Sequence, residues 1–296
     1  MIKSIEKNNI KIYNKKAKEN NASTKEKIMK TFKFIPEGWN EDEKKISSIN
    51  EVKEYINTKE ILQGKVESYD ENYNLHINLG NGFKGIIPKA EVENTKDGQD
   101  IDTKLCVGKL NKYVQFKVEG IENKDTVLLS RKAVQKEVIN SIQKDLEIGQ
   151  VITGIVKNIK PYGAFIEIGG GVVGLAHIED LSIARIKTPY ERLKIGQKIN
   201  VMVKSINKDS GRINLSYKEI LGTWEENVKK FTQGMNVQGI VRETEKNKNG
   251  IFIELTPNLV GMAEYSEGFE YGQEVNVHIK KIDKEKRKVK LSINKK

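Results

Sequence analysis

The chain has 296 residues, 52 Lys and Arg against 41 Asp and Glu, and a formal net charge of +11. That length predicts two or three domains, and the surplus of cations favours a polyanionic partner. A mean hydropathy of −0.58, no apolar run of about 18 residues and a single cysteine, Cys106, argue against a membrane-spanning or disulfide-stapled chain and for a reducing cytoplasm.

Residues 1–31 alternate Lys, Asn and Glu and lack both an amphipathic period and the apolar core of a signal peptide. They predict a flexible basic arm. Residues 32–39 (FKFIPEGW) set aromatics around a proline, and Asn50 can cap a short helix running through Ile56. Residues 32–59 are therefore expected to strap onto the unit that follows. Residues 60–132 and 234–296 share a plan of short β-rich runs with 149–218, about 85 residues apart, which is a repeat of whole domains. Between them, 133–148 carries Val134, Val138, Ile139 and Ile142 at helical spacing. Residues 219–233 (EILGTWEENVKKF) predict a second helical linker, with Trp224 and Phe231 pinning it to a neighbour.

The most regular unit is 149–218. Its β-rich runs at 151–159, 164–168, 198–206 and 212–217 alternate with Gly-rich turns and charged loops. That spacing predicts a small closed barrel. Gly154, Gly163, Gly169, Gly170, Gly171, Gly174 and Gly211 mark the expected turns and bends. Among them stand Tyr162, Phe165, His177, Arg185 and Arg212. Taken singly these are core aromatics, a structural histidine and solvated arginines. Taken together, aromatic platforms beside cations suit single-stranded RNA. Tyr162 and Phe165 lie three apart, which on a flat strand turns them to opposite faces; a bulge at Gly163 is expected to unite them.

The other two units carry thinner versions of the set. In the first, one extra residue in the first turn puts Tyr73 at the Tyr162 position, His76 at Phe165 and Pro88 at His177. In the third, Gly250 and Phe252 match Gly163 and Phe165, while Asn249, Glu264 and Lys288 stand at Tyr162, His177 and Arg212. Charge follows the same ranking. Basic and acidic residues number 11 and 12 in 60–132, 10 and 5 in 150–217, and 12 and 9 in 234–296.

Nothing predicts catalysis. His76, His177 and His278 fall in three different units and there is one cysteine, so no zinc spacing exists. No phosphate loop, dinucleotide fingerprint or nucleophile elbow is present. No cofactor or metal is expected.

The runs GxVxxI, YGAFIEIGGG, GLAHIEDL, IGQKINVMV and GRINLS within 149–218 resemble the S1 RNA-binding domain family. The resemblance implies an all-β chain of three tandem five-stranded OB-fold barrels joined by short helices. It implies an RNA face of Tyr162, Phe165, His177, Arg185 and Arg212, continued by Phe252 and Lys288 in the third barrel and by Tyr73 and His76 in the first. The family usually has Asp where Asn207 stands. PEGW, GTWEEN and IFIELTPNLVG carry a closer likeness to S1-repeat proteins of Gram-positive anaerobes, related to the largest protein of the small ribosomal subunit. That likeness implies a non-catalytic, cytoplasmic protein that binds single-stranded mRNA on or near the small ribosomal subunit and is a monomer away from it, its first barrel docking on protein. An interaction scaffold and a regulatory subunit of an RNA-decay complex stay open as alternatives.

Overall fold

The computed structural model describes residues 32–95, 99–207, 211–244 and 250–294. The expected arm over 1–31 and Asn249 lie outside the described residues. The chain divides into two units, 1–33 and 34–296, and every element named below belongs to the second.

Three sets of five strands close into three barrels. The first holds β1 (Leu62–Tyr69), β2 (Leu75–Gly80), β3 (Phe83–Ile87), β4 (Tyr113–Asn123) and β5 (Thr126–Ser130). The central one holds β6 (Val151–Lys160), β7 (Gly163–Gly169), β8 (Val172–His177), β9 (Lys198–Asn207) and β10 (Arg212–Ser216). The third holds β11 (Asn236–Thr244), β12 (Ile251–Thr256), β13 (Leu259–Ala263), β14 (Glu274–Asp283) and β15 (Lys288–Ile293). In each, the strands run first, second, third, fifth, fourth and back to the first. The third and fifth strands pair in parallel and the rest antiparallel. This is the OB-fold plan, three times over.

Period-two alternation fills each barrel. On β7, Ala164, Ile166 and Ile168 are fully buried, as are Val201, Val203 and Leu215 of β9 and β10. Cys106 is buried in the core of the first barrel, where loss of water pushes its thiol pKa up. Some glycines serve this packing rather than a bend. A Cβ on Gly154 would lie 2.4 Å from Ile166 Cγ2; Gly64 and Gly239 meet Ile77 and Ile253 in the same way, at 2.7 and 2.5 Å. These glycines let the first strand cross close over a core isoleucine.

Helix α1 (Ile49–Thr58) is capped by Ser48, whose side chain accepts from the Glu51 N–H, not by Asn50. Serine at this place takes one of the orphan N–H groups of the first turn, and Asn50 falls inside the helix. Helix α2 (Thr103–Val107) lies between β3 and β4. Helix α3 (Arg131–Asp145) starts at Ser130, which accepts from Ala133 N–H, and buries Val134, Val138 and Ile142. After a short 3-10 turn at Lys218–Leu221, α4 (Trp224–Val228) opens with a Thr223–Glu226 capping box. Trp224 and Phe231 pack against the core of the third barrel. Among the described residues no helix is long and apolar enough to cross a membrane.

Helix α3 does more than space two barrels. Its first residue, Arg131, is buried and gives Glu37 of the strap two parallel hydrogen bonds, from Nε at 2.6 Å and Nη2 at 3.0 Å. Nη1 donates to Val92 O and Glu93 Oε2 in the first barrel. The Glu37 N–H in turn donates to Glu167 Oε1 on β7 of the central barrel, at 2.7 Å. The glycine run after β7 fits under this knot. A Cβ on Gly171 would sit 1.6 Å from Arg131 Nη2, and one on Gly170 would sit 2.8 Å from Val138 Cγ2. Both glycines also have positive φ, 80° and 54°, so two constraints exclude a side chain there. The third barrel is tied to the central one by Arg192 Nη2 on Glu254 at 2.6 Å, by Arg242 on Glu191, and by the Tyr271 hydroxyl on Glu191 at 2.8 Å, while Arg242 also holds Glu254 within the third barrel.

The two buried carboxylates of the first junction titrate in opposite directions. Burial pushes Glu37 up, but the Arg131 charge and hydrogen bonds hold it below the usual 4.5. Burial first, then the charge of Glu37, push Glu167 above 4.5. Lys157 stands 2.6 Å from Glu167, but its side chain is 37% exposed and water blunts its field. A depressed carboxylate stabilises the fold above 4.5 and loses that contribution as pH falls through its folded value. A raised one stabilises the fold while protonated and loses that contribution as pH rises from 4.5 through its raised value. Glu167→Gln is thus expected to flatten the decline of stability just above pH 4.5, measured as urea midpoint against pH. An unchanged slope would contradict this account.

Candidate nucleic-acid interface

Strand pairing decides which side chains share a surface. Phe165 on β7 pairs with Asn158 on β6 and Leu175 on β8, and Gly163 pairs with Lys160 and His177. Leu175 pairs in turn with Asn214 on β10. Their strand neighbours Ala164, Ile166, Ala176, Ile213 and Leu215 are buried, so this row faces outward. Arg212, two residues before Asn214, leaves on the same side and is exposed.

Tyr162 precedes β7 in the turn that joins it to β6. The residue is 50% exposed, and its ring meets half-buried Phe165 edge to face, centroids 6.1 Å apart at 81°. The expected bulge at Gly163 is absent. The register instead slips on the partner strand, between Val156 and Asn158. Tyr162 reaches the face because a turn residue is not bound by strand alternation, and the Ile178 N–H donating to Tyr162 O at 2.9 Å anchors that turn. Gly163 has another role: a Cβ there would lie 2.4 Å from Ala176 O and 3.1 Å from His177 Cα. His177 is half-exposed, and its Nδ1 lies 3.8 Å from the Glu179 carboxylate.

The central face thus gathers Tyr162, Phe165, His177 and Arg212. Lys160, Asn158 and Asn214 join them, and sequence reasoning passed over all three. Only Lys160 carried a signal, since KPYG (residues 160–163) reads as a hairpin turn that folds the lysine beside the tyrosine. Arg185 stands apart. Its Nη1 lies 2.7 Å from Glu243 on β11 of the third barrel.

The same register recurs in the other barrels with other residues. His76 pairs with Ser68 and Ile86, and Ile86 with Leu128. His76 also lies 3.5 Å from Asp70. Burial raises the Asp70 pKa, but hydrogen bonds from the Asn74 side chain and backbone outweigh it and hold that carboxyl below its usual value. Tyr73 does not stand free. It is half-buried against the core and stacked on Tyr69, centroids 5.9 Å apart at 10°. Thr126 falls where Arg212 stands, so the first barrel offers no cation there. In the third barrel Phe252 pairs with Glu243 and Met262, Met262 with Lys290, and Lys288 with Asp283.

A family model described as "S1 RNA binding domain" matches residues 55–132 and 145–218. The chain belongs to the S1 RNA-binding domain family. Two S1 domains are matched directly, and the third barrel repeats their strand order and register. The chain is 34% identical over 271 residues to small ribosomal subunit protein bS1 of Staphylococcus aureus (strain MRSA252), covering 83% of this chain and 64% of that one. It is 38% identical over 197 residues to the bS1 protein of Staphylococcus epidermidis, covering 61% and 50%. It therefore spans less than two thirds of the length of these curated relatives. Among solved structures, GSP13 from Bacillus subtilis is 32% identical over 25% of this chain and 58% of its own, with a TM-score of 0.25. A multidomain protein with nucleic acid binding domains from Streptococcus pneumoniae covers 80% of this chain and 74% of its own at 15% identity, also with a TM-score of 0.25. Of the three domains, the central one brings aromatic and basic side chains together most fully on its outer face.

Proposed function

We propose that this S1-repeat protein holds single-stranded RNA, chiefly mRNA, on the outer face of its central domain. It acts in translation on or near the small ribosomal subunit, in the cytoplasm, without catalysis or cofactor and as a monomer away from the ribosome. One observation carries the reading: the exposed ring of Tyr162 and the ring of Phe165 meet on the same outer side as Lys160, His177 and Arg212. Bases of any sequence stack on such rings, and the cations meet the phosphates. The name borne by the staphylococcal relatives supports the ribosomal part. The first domain, with Ile86, Leu128 and Thr126 on the equivalent face, contributes little to RNA and docks on protein.

Crosslinking in cells followed by sequencing of the bound RNA tests the whole reading. Enrichment of mRNA leaders is expected, and a protein that carries no RNA would overturn it. The affinity for an oligouridylate should fall with salt at a log–log slope of about −0.7 for each phosphate neutralised. Arg212→Gln should make that slope shallower by about 0.7. An unchanged slope would remove Arg212 from the interface.

A further inference from the structure

In the third barrel, the register that carries Phe165 brings in a residue from the domain next door. Phe252 pairs with Glu243 and Met262, and Met262 with Lys290. Ile251, Ile253, Ala263 and Leu291, which alternate with them, are buried. The four side chains Glu243, Phe252, Met262 and Lys290 therefore leave the barrel on one outer face. Met262 is 42% exposed. Glu243 is engaged by Arg185 of the central domain at 2.7 Å, and the Arg185 side chain is 77% exposed.

The loop that carries Arg185 is fastened to the third barrel. Ala184 N–H donates to Pro257 O at 3.0 Å, and Ile183 N–H donates to Asn258 Oδ1 at 3.2 Å. Arg185 is thus delivered beside Phe252 by backbone bonds that do not depend on Glu243. An ion pair this exposed contributes little stability. A phosphate offers the guanidinium the same two-oxygen geometry as a carboxylate, so it can replace Glu243 at small cost.

We propose that Arg185, Phe252, Met262 and Lys290 form a composite second seat for single-stranded RNA, shared between the central and third domains, and that Glu243 fills its phosphate position when RNA is absent. The proposal rests on the RNA-binding reading above. A base stacks on Phe252 beside the Met262 thioether, while Arg185 and Lys290 meet the flanking phosphates. Glu243 keeps the seat weak by holding the guanidinium and by repelling phosphate. The seat extends the path of a strand from the central domain onto the third.

The test uses the full chain with Tyr162→Ala and Phe165→Ala, so that only binding outside the central rings is read. A labelled oligouridylate is titrated by fluorescence anisotropy at several salt concentrations. Glu243→Gln in that background is expected to tighten binding about threefold, the scale of one exposed charge pair. Adding Arg185→Gln should cancel the gain and make the salt slope shallower by about 0.7, and Phe252→Ala should remove most of the residual binding. A misfolded variant cannot imitate a gain. Unchanged or weaker binding by Glu243→Gln, or a gain that survives Arg185→Gln, would overturn the proposal. If the two ring substitutions leave wild-type affinity intact, the reading of the central face fails instead, and the Glu243 result is still decided by its own comparison.

Discussion

Replacing Tyr162 and Phe165 together by alanine is expected to weaken single-stranded RNA binding by at least about tenfold, since stacking on one ring contributes about 1–3 kcal/mol per base and 1.4 kcal/mol is a factor of ten. The two rings touch at 6.1 Å, so their effects are coupled and the double change should fall short of the sum of the single ones. Tyr162 is half-exposed and sits in a turn, so its loss should leave the fold intact. Phe165 is half-buried, so the thermal midpoint of the double variant is measured beside its affinity. Tyr73→Ala is the matched control. That ring is stacked on Tyr69 and packed against its own core, so its loss should affect stability and hardly RNA. Equal losses of affinity from the two changes, in an anisotropy titration, would reject the ranking of the domains.

Arg131→Met is expected to destabilise the first domain and its junction with the central one by about 3–5 kcal/mol, the usual cost of leaving one member of a buried ion pair without its partner. The Arg131 and Glu37 side chains are 1% and 3% exposed, so water cannot take over the lost bonds. Without the guanidinium, Glu37 sits beside Glu167 with backbone donors, Lys157 and Lys109 left to offset the two carboxylates. Trp39 lies two residues from Glu37, so its fluorescence during urea unfolding reports on the strap, with Trp224→Phe removing the other tryptophan. Adding Glu37→Gln to Arg131→Met should recover part of the loss, because it removes the stranded charge. A urea midpoint that does not move with Arg131→Met would show that the strap is held by its other contacts.

Much of this architecture can be read from the chain. Each barrel announces itself by apolar residues at alternate positions between glycine-rich turns, because a strand has two faces and only one meets the core. Tyr162, Phe165, His177 and Arg212 can be picked out as a group because aromatic platforms beside cations among glycine-rich turns suit single-stranded RNA. The reading falls short where a single neighbour or hydrogen bond decides. Tyr73 matches Tyr162 by position, yet Tyr69 covers it. Arg185 reads as part of the central face, yet it reaches Glu243 in another domain, 58 residues on. Asn50 reads as the cap of α1, yet Ser48 takes the place, and boundaries of that kind turn on one hydrogen bond. Residues 1–31 lie outside what the structure describes.

The sequence by itself determined the number of barrels, their kind and the ranking of their charge, because these depend on local alternation and composition, which every residue carries with it. Only the tertiary structure decided that Tyr162 joins Phe165 from a turn rather than through a bulge, that Arg131 closes a buried knot between strap, first and central domains, and that Arg185 pairs with Glu243 of the neighbouring domain. Those outcomes depend on pairing register and on which loops dock across domain boundaries, and both are set by contacts between segments far apart along the chain.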